Sequence, residues 1–176
     1  MKKIILLITL FTVVLSFSAE KKFPRFSTKD LSGNDISLDS ILAKGKPVVL
    51  TFWATWCKPC KKELRKLIEY WENFDTTQGE HPYIVVAICE DGPRSKRQAT
   101  ALAKKEKWDK FIIPYDLGQK IKRKAGVADI PELFILKPDG TIFYRHIGFN
   151  PGDEKETFSK LEELFKELNE EEPASE

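Results

Sequence analysis

The run PVVLTFWA at residues 47–54 constrains the fold more than any other stretch of the chain. It is almost uniformly apolar and rich in β-branched and aromatic residues, the pattern of a strand covered on both faces and therefore central in a sheet. YIVVAIC at 83–89 is a second strand of the same kind. Between them Leu64, Leu67, Ile68, Trp71 and Phe74 recur at steps of three and four, with Lys61, Lys62, Arg65, Lys66 and Glu69 filling the intervals. That spacing predicts an amphipathic helix from Cys60 onward, joining two buried strands.

The other segments extend this alternation. Residues 23–40 read as a hairpin turning at Ser32-Gly33-Asn34. A helix is expected over 94–108, a short extended piece over 111–117 and a short basic helix near QKIKRKAG that ends at Gly126. Strands at 132–136 and 141–148, joined by the turn Lys137-Pro138-Asp139-Gly140, precede a final helix over 155–168. The expectation is an α/β fold, a mixed central sheet with helices on both faces and an antiparallel edge. With no internal repeat and no linker, 176 residues suit one domain, placed at 19–169, ahead of an acidic disordered tail at 170–176.

Residues 1–18 carry Lys2 and Lys3, an apolar run from Ile4 to Leu15, then Ser16 and Ser18, the three-part pattern of a secretory signal peptide with cleavage after Ser18. Uncleaved, it would tether the chain to a membrane, although a spanning helix needs about 20 apolar residues. Cleavage removes two lysines and no acid, so 29 basic residues become 27, equal to the 27 acids. A formally neutral chain without interleaved basic and aromatic residues is not built for nucleic acid.

Cys57, Cys60 and Cys89 admit three uses: a structural staple, a metal clip or a redox pair. Three is too few and an odd number for a disulfide scaffold, and a chain this long does not need one. Two cysteines two residues apart are half of a tetrahedral zinc site, and only Cys89, His81 and His146, widely scattered, remain as soft ligands. The strand-to-helix junction favours the third use. It puts Cys57 at the helix N-terminus, where unpaired N–H groups and the macrodipole stabilise a thiolate, and Cys60 in the first turn. Lys58 adds positive charge, and Pro59 is tolerated where its missing N–H has no internal acceptor. Cys57 is expected to be the acidic, exposed cysteine, with Cys60 turned inward to attack a mixed disulfide. Cys89, ending a buried strand, is read as an inert thiol.

TFWATWCKPCKKEL resembles the active-site segment of thioredoxin-fold proteins, most closely the exported TlpA/ResA-type disulfide reductases. The likeness extends through FSTKDLSGNDISL, YDLGQKIKRKAGVADIPELFIL and KPDGTIFYRHIG. It implies a three-layer thioredoxin-like fold with an N-terminal β-hairpin extension, and a redox-active Cys57–Cys60 disulfide. It also implies a cis-proline at Pro131, setting the Ile130 backbone beside Cys57 to pair with an extended substrate. Glu132 stands where the family commonly has threonine. Thr51 stands where a thioredoxin has a buried acid, six residues before the first cysteine. Glu63 matches the family's proton-transferring glutamate, although a glutamate on a lysine-rich helix more often stays solvated beside Lys62 or Lys66. Trp56, Lys58, Pro59, Ile130 and Pro131 are the expected substrate contacts.

The implied function is exported, periplasmic or otherwise extracytoplasmic thiol–disulfide exchange by a monomer needing no metal or organic cofactor. Implied partners are oxidised exported proteins, apocytochrome c among them, and a membrane protein that passes electrons outward. Rival readings are a peroxiredoxin-like peroxidase, a related family that shares the FPRFSTKDLSGNDISL entry, and a copper-binding metallochaperone on the same fold.

Overall fold

The computed structural model describes residues 20–74 and 80–171. Along the chain lie β1 (Ser27–Lys29), β2 (Asp35–Ser37), α1 (Leu38–Leu42), β3 (Val48–Trp53), α2 (Lys58–Glu72) and β4 (Ile84–Cys89). There follow α3 (Lys96–Lys105), α4 (Lys120–Ala125), β5 (Glu132–Leu136), β6 (Ile142–Ile147) and α5 (Asp153–Glu171), with 3₁₀ turns at 93–95 and 108–110. The expected signal segment, 1–18, and residues 172–176 of the expected tail lie outside the described residues. Glu170 and Glu171 continue α5 where tail was expected; glutamate is a good helix former.

The main sheet has the order β4-β3-β5-β6. β3 and β4 run parallel in register from Val48↔Ile84 to Trp53↔Cys89, and β5 and β6 add antiparallel on the other side. Every residue of β3 is buried, as its composition required. Alternation along the strand divides the interior in two. Val49 and Trp53 face a core shared with α2, α3 and α5, while Val48, Leu50 and Phe52 face α1, α4 and the N-terminal segment. Helices therefore cover both faces and make three layers, the thioredoxin-like arrangement. On one side Trp53 meets Trp108 edge to face at 5.3 Å. On the other Phe23 meets Phe134 at 5.1 Å, with Phe52 beside both.

Other boundaries also differ from the sequence reading. The N-terminal hairpin forms, with Gly33 at φ +98° in its turn, but Leu38 to Leu42 are helical. A reciprocal Ser37–Ser40 capping box starts that helix, and Leu38, Ile41 and Leu42 bury one face of it. The helix expected over 94–108 ends at Lys105. Lys107 enters the left-handed region at φ 61°, and the turn drives Trp108 fully into the core. The segment 111–117 touches β4 only through the parallel bridges Val86↔Ile112 and Cys89↔Tyr115, because Pro114 has no N–H with which to continue a ladder.

The aromatic cluster below β3 sets a stability test. Phe52→Ala is expected to lower unfolding free energy by about 3–5 kcal/mol, read as a fall in urea midpoint at unchanged m-value.

Candidate active site

β3 delivers the chain to the carboxyl end of the sheet, where it turns through Ala54, Thr55 and Trp56 into α2. Cys57 is the N-cap: its backbone is extended (φ −80°, ψ 102°), and its Sγ accepts the Cys60 N–H at 3.2 Å. Pro59 sits in the first turn, which contains no acidic residue, so nothing there opposes the positive end of the helix. Cys57 and Cys60 form a disulfide with their Cα atoms 5.4 Å apart.

Cys57 is not the exposed cysteine that the sequence suggested. It is 4% exposed and Cys60 0%, so Cys57 keeps the only access, and that access is narrow. The cover comes from the loop before β5. The Ile130–Pro131 bond is cis and the Ile130 carbonyl oxygen lies 3.8 Å from Cys57 Sγ. Trp56 beside it is 66% exposed, Lys58 and Pro59 are exposed, Ile130 is half-buried and Pro131 buried. The five expected substrate contacts thus lie on the two segments that bracket the disulfide. Glu132, itself buried, turns away to pair with the exposed Arg145, whose Nε lies 2.5 Å from its Oε1.

Glu63 is not on the surface. It is buried, and Thr51 Oγ1 donates to its Oε2 at 2.5 Å, while Lys66 pairs with Glu69 instead. The position that holds an acid on the strand of a thioredoxin is Thr51 here, and Thr51 holds an acid that reaches it from the helix. Burial is the main reason the Glu63 carboxyl is pushed up to about 8; the Thr51 hydrogen bond works against it and the Asp153 charge with it. At neutral pH it is mostly protonated, with an ionised fraction that can accept a proton.

Two further residues hold the corner, and neither stood out in the sequence. Asp91, buried just past β4, accepts the Thr55 N–H at 2.8 Å and the Thr55 hydroxyl at 2.7 Å. Lys61 Nζ donates to the Thr55 carbonyl at 2.8 Å. Every polar group of Thr55, two residues before Cys57, is therefore bonded to a side chain. The available signal was position alone, since Asp91 follows the carboxyl end of the strand parallel to β3, where α/β sheets gather functional groups. Cys89 is fully buried against Asp91, 3.5 Å from Sγ to Oδ2, and burial pushes its thiol well up, as suits an inert cysteine. His146 joins Asp153 at 3.2 Å, and His81 stacks on Trp71 at 3.7 Å, both away from the disulfide's own contacts.

The AhpC/TSA family profile matches residues 19–145. The chain belongs to the AhpC/TSA family. Within it, the thiol-disulfide oxidoreductase ResA of Bacillus thuringiensis (strain Al Hakam) is 32% identical over 161 residues, covering 85% of this chain and 86% of the relative. A thioredoxin-like protein of Porphyromonas gingivalis has the same fold at a TM-score of 0.65 and 29% identity, over 82% of this chain and 92% of the other. A secreted Mycobacterium tuberculosis disulfide oxidoreductase homologous to E. coli DsbE aligns at a TM-score of 0.56 and 25% identity, over 72% of this chain and 84% of its own. With this kinship and a Cys57–Cys60 disulfide in place, this AhpC/TSA member is a thiol-disulfide oxidoreductase.

The raised Glu63 pKa has a stability consequence whose sign is fixed. From its ordinary value of 4.5 up to about 8 the folded protein holds a proton on Glu63 that the unfolded chain has lost. The stability of the oxidised protein should therefore fall as pH rises through that window, by up to about 1.4 kcal/mol per pH unit from this group. Urea unfolding of wild type and Glu63→Gln at several pH values checks this: the difference between them should vary with pH inside the window and level off above it.

Proposed function

We propose that the protein reduces disulfides in exported polypeptides through a two-cysteine cycle. The Cys57 thiolate attacks a substrate disulfide, forms a mixed disulfide and releases one substrate sulfur, which takes up a proton. Cys60 gives its proton to the Glu63 carboxylate and, as thiolate, attacks Cys57 Sγ. The second substrate sulfur leaves and is protonated, and the Cys57–Cys60 disulfide remains. Two electrons pass from the dithiol to the substrate; the dithiol loses two protons, one when Cys57 ionises and one from Cys60 by way of Glu63, and the two released substrate sulfurs take up two from solvent.

The observation that carries this reading is the stacking of three functions at one corner. A sulfur caps α2, a backbone carbonyl from the cis-proline loop stands over that sulfur, and a protonatable acid is buried on the same helix, three residues after Cys60. A helix N-terminus favours Cys57 as the ionised partner. The exposed Trp56 and the Ile130 carbonyl offer an apolar face and a backbone acceptor to an extended segment. Lys58, Pro59 and Pro131 complete the contact surface.

Export is supported by the signal-like residues 1–18 and by the secreted relative from M. tuberculosis. In an oxidising compartment a reductase has to be re-reduced, so the cycle includes a membrane protein delivering electrons. Oxidised haem-site cysteines of apocytochrome c are the substrate class that the TlpA/ResA likeness suggests. The peroxidase alternative is disfavoured by Trp56-Cys57, since that related family usually reads Thr-x-x-Cys.

Trapping tests the assignment. Cys60→Ser should accumulate a mixed disulfide between Cys57 and an oxidised protein substrate, and Cys57→Ser should accumulate none. Glu63→Gln should slow insulin-disulfide reduction by roughly 10²-fold, in the range for loss of a proton-transfer group, while leaving the first, Cys57-dependent step intact. Trapping through Cys60 in the Cys57→Ser protein would reverse the roles.

A further inference from the structure

If Glu63 takes the Cys60 proton, as the proposed cycle requires, that proton has to leave a residue that is only 3% exposed. The dithiol side offers poor passage. Cys60 is fully buried, Cys57 nearly so, and a substrate held covalently on Cys57 would cover what opening exists. Behind Glu63, between α2 and α5, the packing is different. A gap of about 10 Å³ lies there, its lining made of Glu63, Lys66, Glu154 and Thr157 together with apolar side chains that include Leu67, Phe149 and Phe158. Three of those residues, Lys66, Glu154 and Phe158, also line a groove of about 290 Å³ on the surface between the same two helices. The gap is close to the smallest space that holds one water, and its walls offer that water polar partners.

We propose that Glu63 exchanges its proton with solvent through this α2–α5 seam, by way of a single water in the gap, and not through the dithiol mouth. The groups around the route suit the passage of a proton. Thr51 on β3 bonds the carboxyl from the sheet side. Lys66 on α2, tied to Glu69 at 2.8 Å, stands on the groove side. On α5, Glu154 accepts the Gly152 N–H at 2.7 Å, and Asp153 is held by His146 of β6 at 3.2 Å. Thr157, itself buried, puts a side chain on the gap, its hydroxyl directed to the Asp153 carbonyl. The proton that Cys60 gives up passes to Glu63, from Glu63 to the water, and from the water to the groove. Proton release thus stays open while a polypeptide occupies the opposite face.

The route is testable apart from the role. Infrared spectroscopy of the oxidised protein mixed into D2O, at a pH where Glu63 is protonated, follows hydrogen–deuterium exchange of its carboxyl, the band being assigned by its loss in Glu63→Gln. Thr157→Leu and, independently, Phe158→Trp narrow the seam. Each is expected to slow the exchange roughly tenfold or more by excluding the bridging water, with the reduction potential unchanged. A Cys60→Ser protein carrying glutathione on Cys57, its mouth closed, should exchange as fast as Cys60→Ser alone. Exchange at the wild-type rate in both seam variants, or exchange slowed by the glutathione block, overturns the route. A Glu63→Gln protein whose Cys60 titrates as in wild type would instead remove Glu63 from the cycle, a separate failure.

Discussion

The corner at which β3 becomes α2 governs the rest of the molecule. A strand buried on both faces has no room to bend, so the chain changes direction only after Trp53, in three residues, and the next residue is the helix cap. A sulfur in the cap position accepts a backbone N–H that an ordinary cap would satisfy with oxygen. That is a modest interaction, and the corner keeps its shape because its neighbours bind it from both sides. Asp91 and Lys61 take up the polar groups of Thr55, and the Ile130–Pro131 loop closes over Cys57. The sheet order follows the same logic. β3 lies between β4, which supplies Asp91 just past its end, and β5, which is preceded by the proline loop. Both supports reach the corner because they flank the strand that makes it.

The Glu63–Thr51 pair adds a tension to this frame. A carboxyl inside an apolar core is tolerated when neutral and disfavoured when ionised, so the fold and the proposed chemistry pull in opposite directions as pH rises. Thr51 moderates the conflict without removing it: one hydrogen bond favours the ionised form, and burial outweighs it. A carboxylate paired with lysine at this place would be more comfortable and chemically idle. The nearby Lys66 is turned to Glu69, which leaves Glu63 with the hydroxyl.

Much of this was legible from residue order. The apolar runs gave β3 and β4, the three-and-four spacing gave α2, and ELFIL coincides with β5 residue for residue. The dithiol at the start of a helix was readable because strand, cysteine pair and helix are contiguous. What escaped depends on contacts between distant segments. Glu63 was singled out by its likeness to the family's glutamate, since by residue type it looks like any surface glutamate among lysines, but only the packing of α2 on the sheet shows that its side chain meets Thr51. Asp91 lies 36 positions from Thr55 in sequence and is joined to it only by the parallel register of β3 and β4. Exposure of Cys57 was misjudged for the same reason: its cover comes from residues 130 and 131, whose approach is tertiary. Local signals also misled at element ends and at short elements, as where a capping box wound Leu38 to Leu42 into a helix beside a hairpin.

The central claim is that the reduced protein presents one ionised, reachable sulfur, at Cys57, with Cys60 behind it and Cys89 sealed in the core. Alkylation of the reduced chain with limiting iodoacetamide across a range of pH, with each cysteine quantified by mass spectrometry, tests this most directly. The account predicts that label enters Cys57 first, along a titration curve below that of a free thiol, while Cys60 lags and Cys89 stays unmodified until the protein unfolds. Label appearing first on Cys60 or Cys89, or a Cys57 curve no lower than that of an unperturbed thiol, would contradict it.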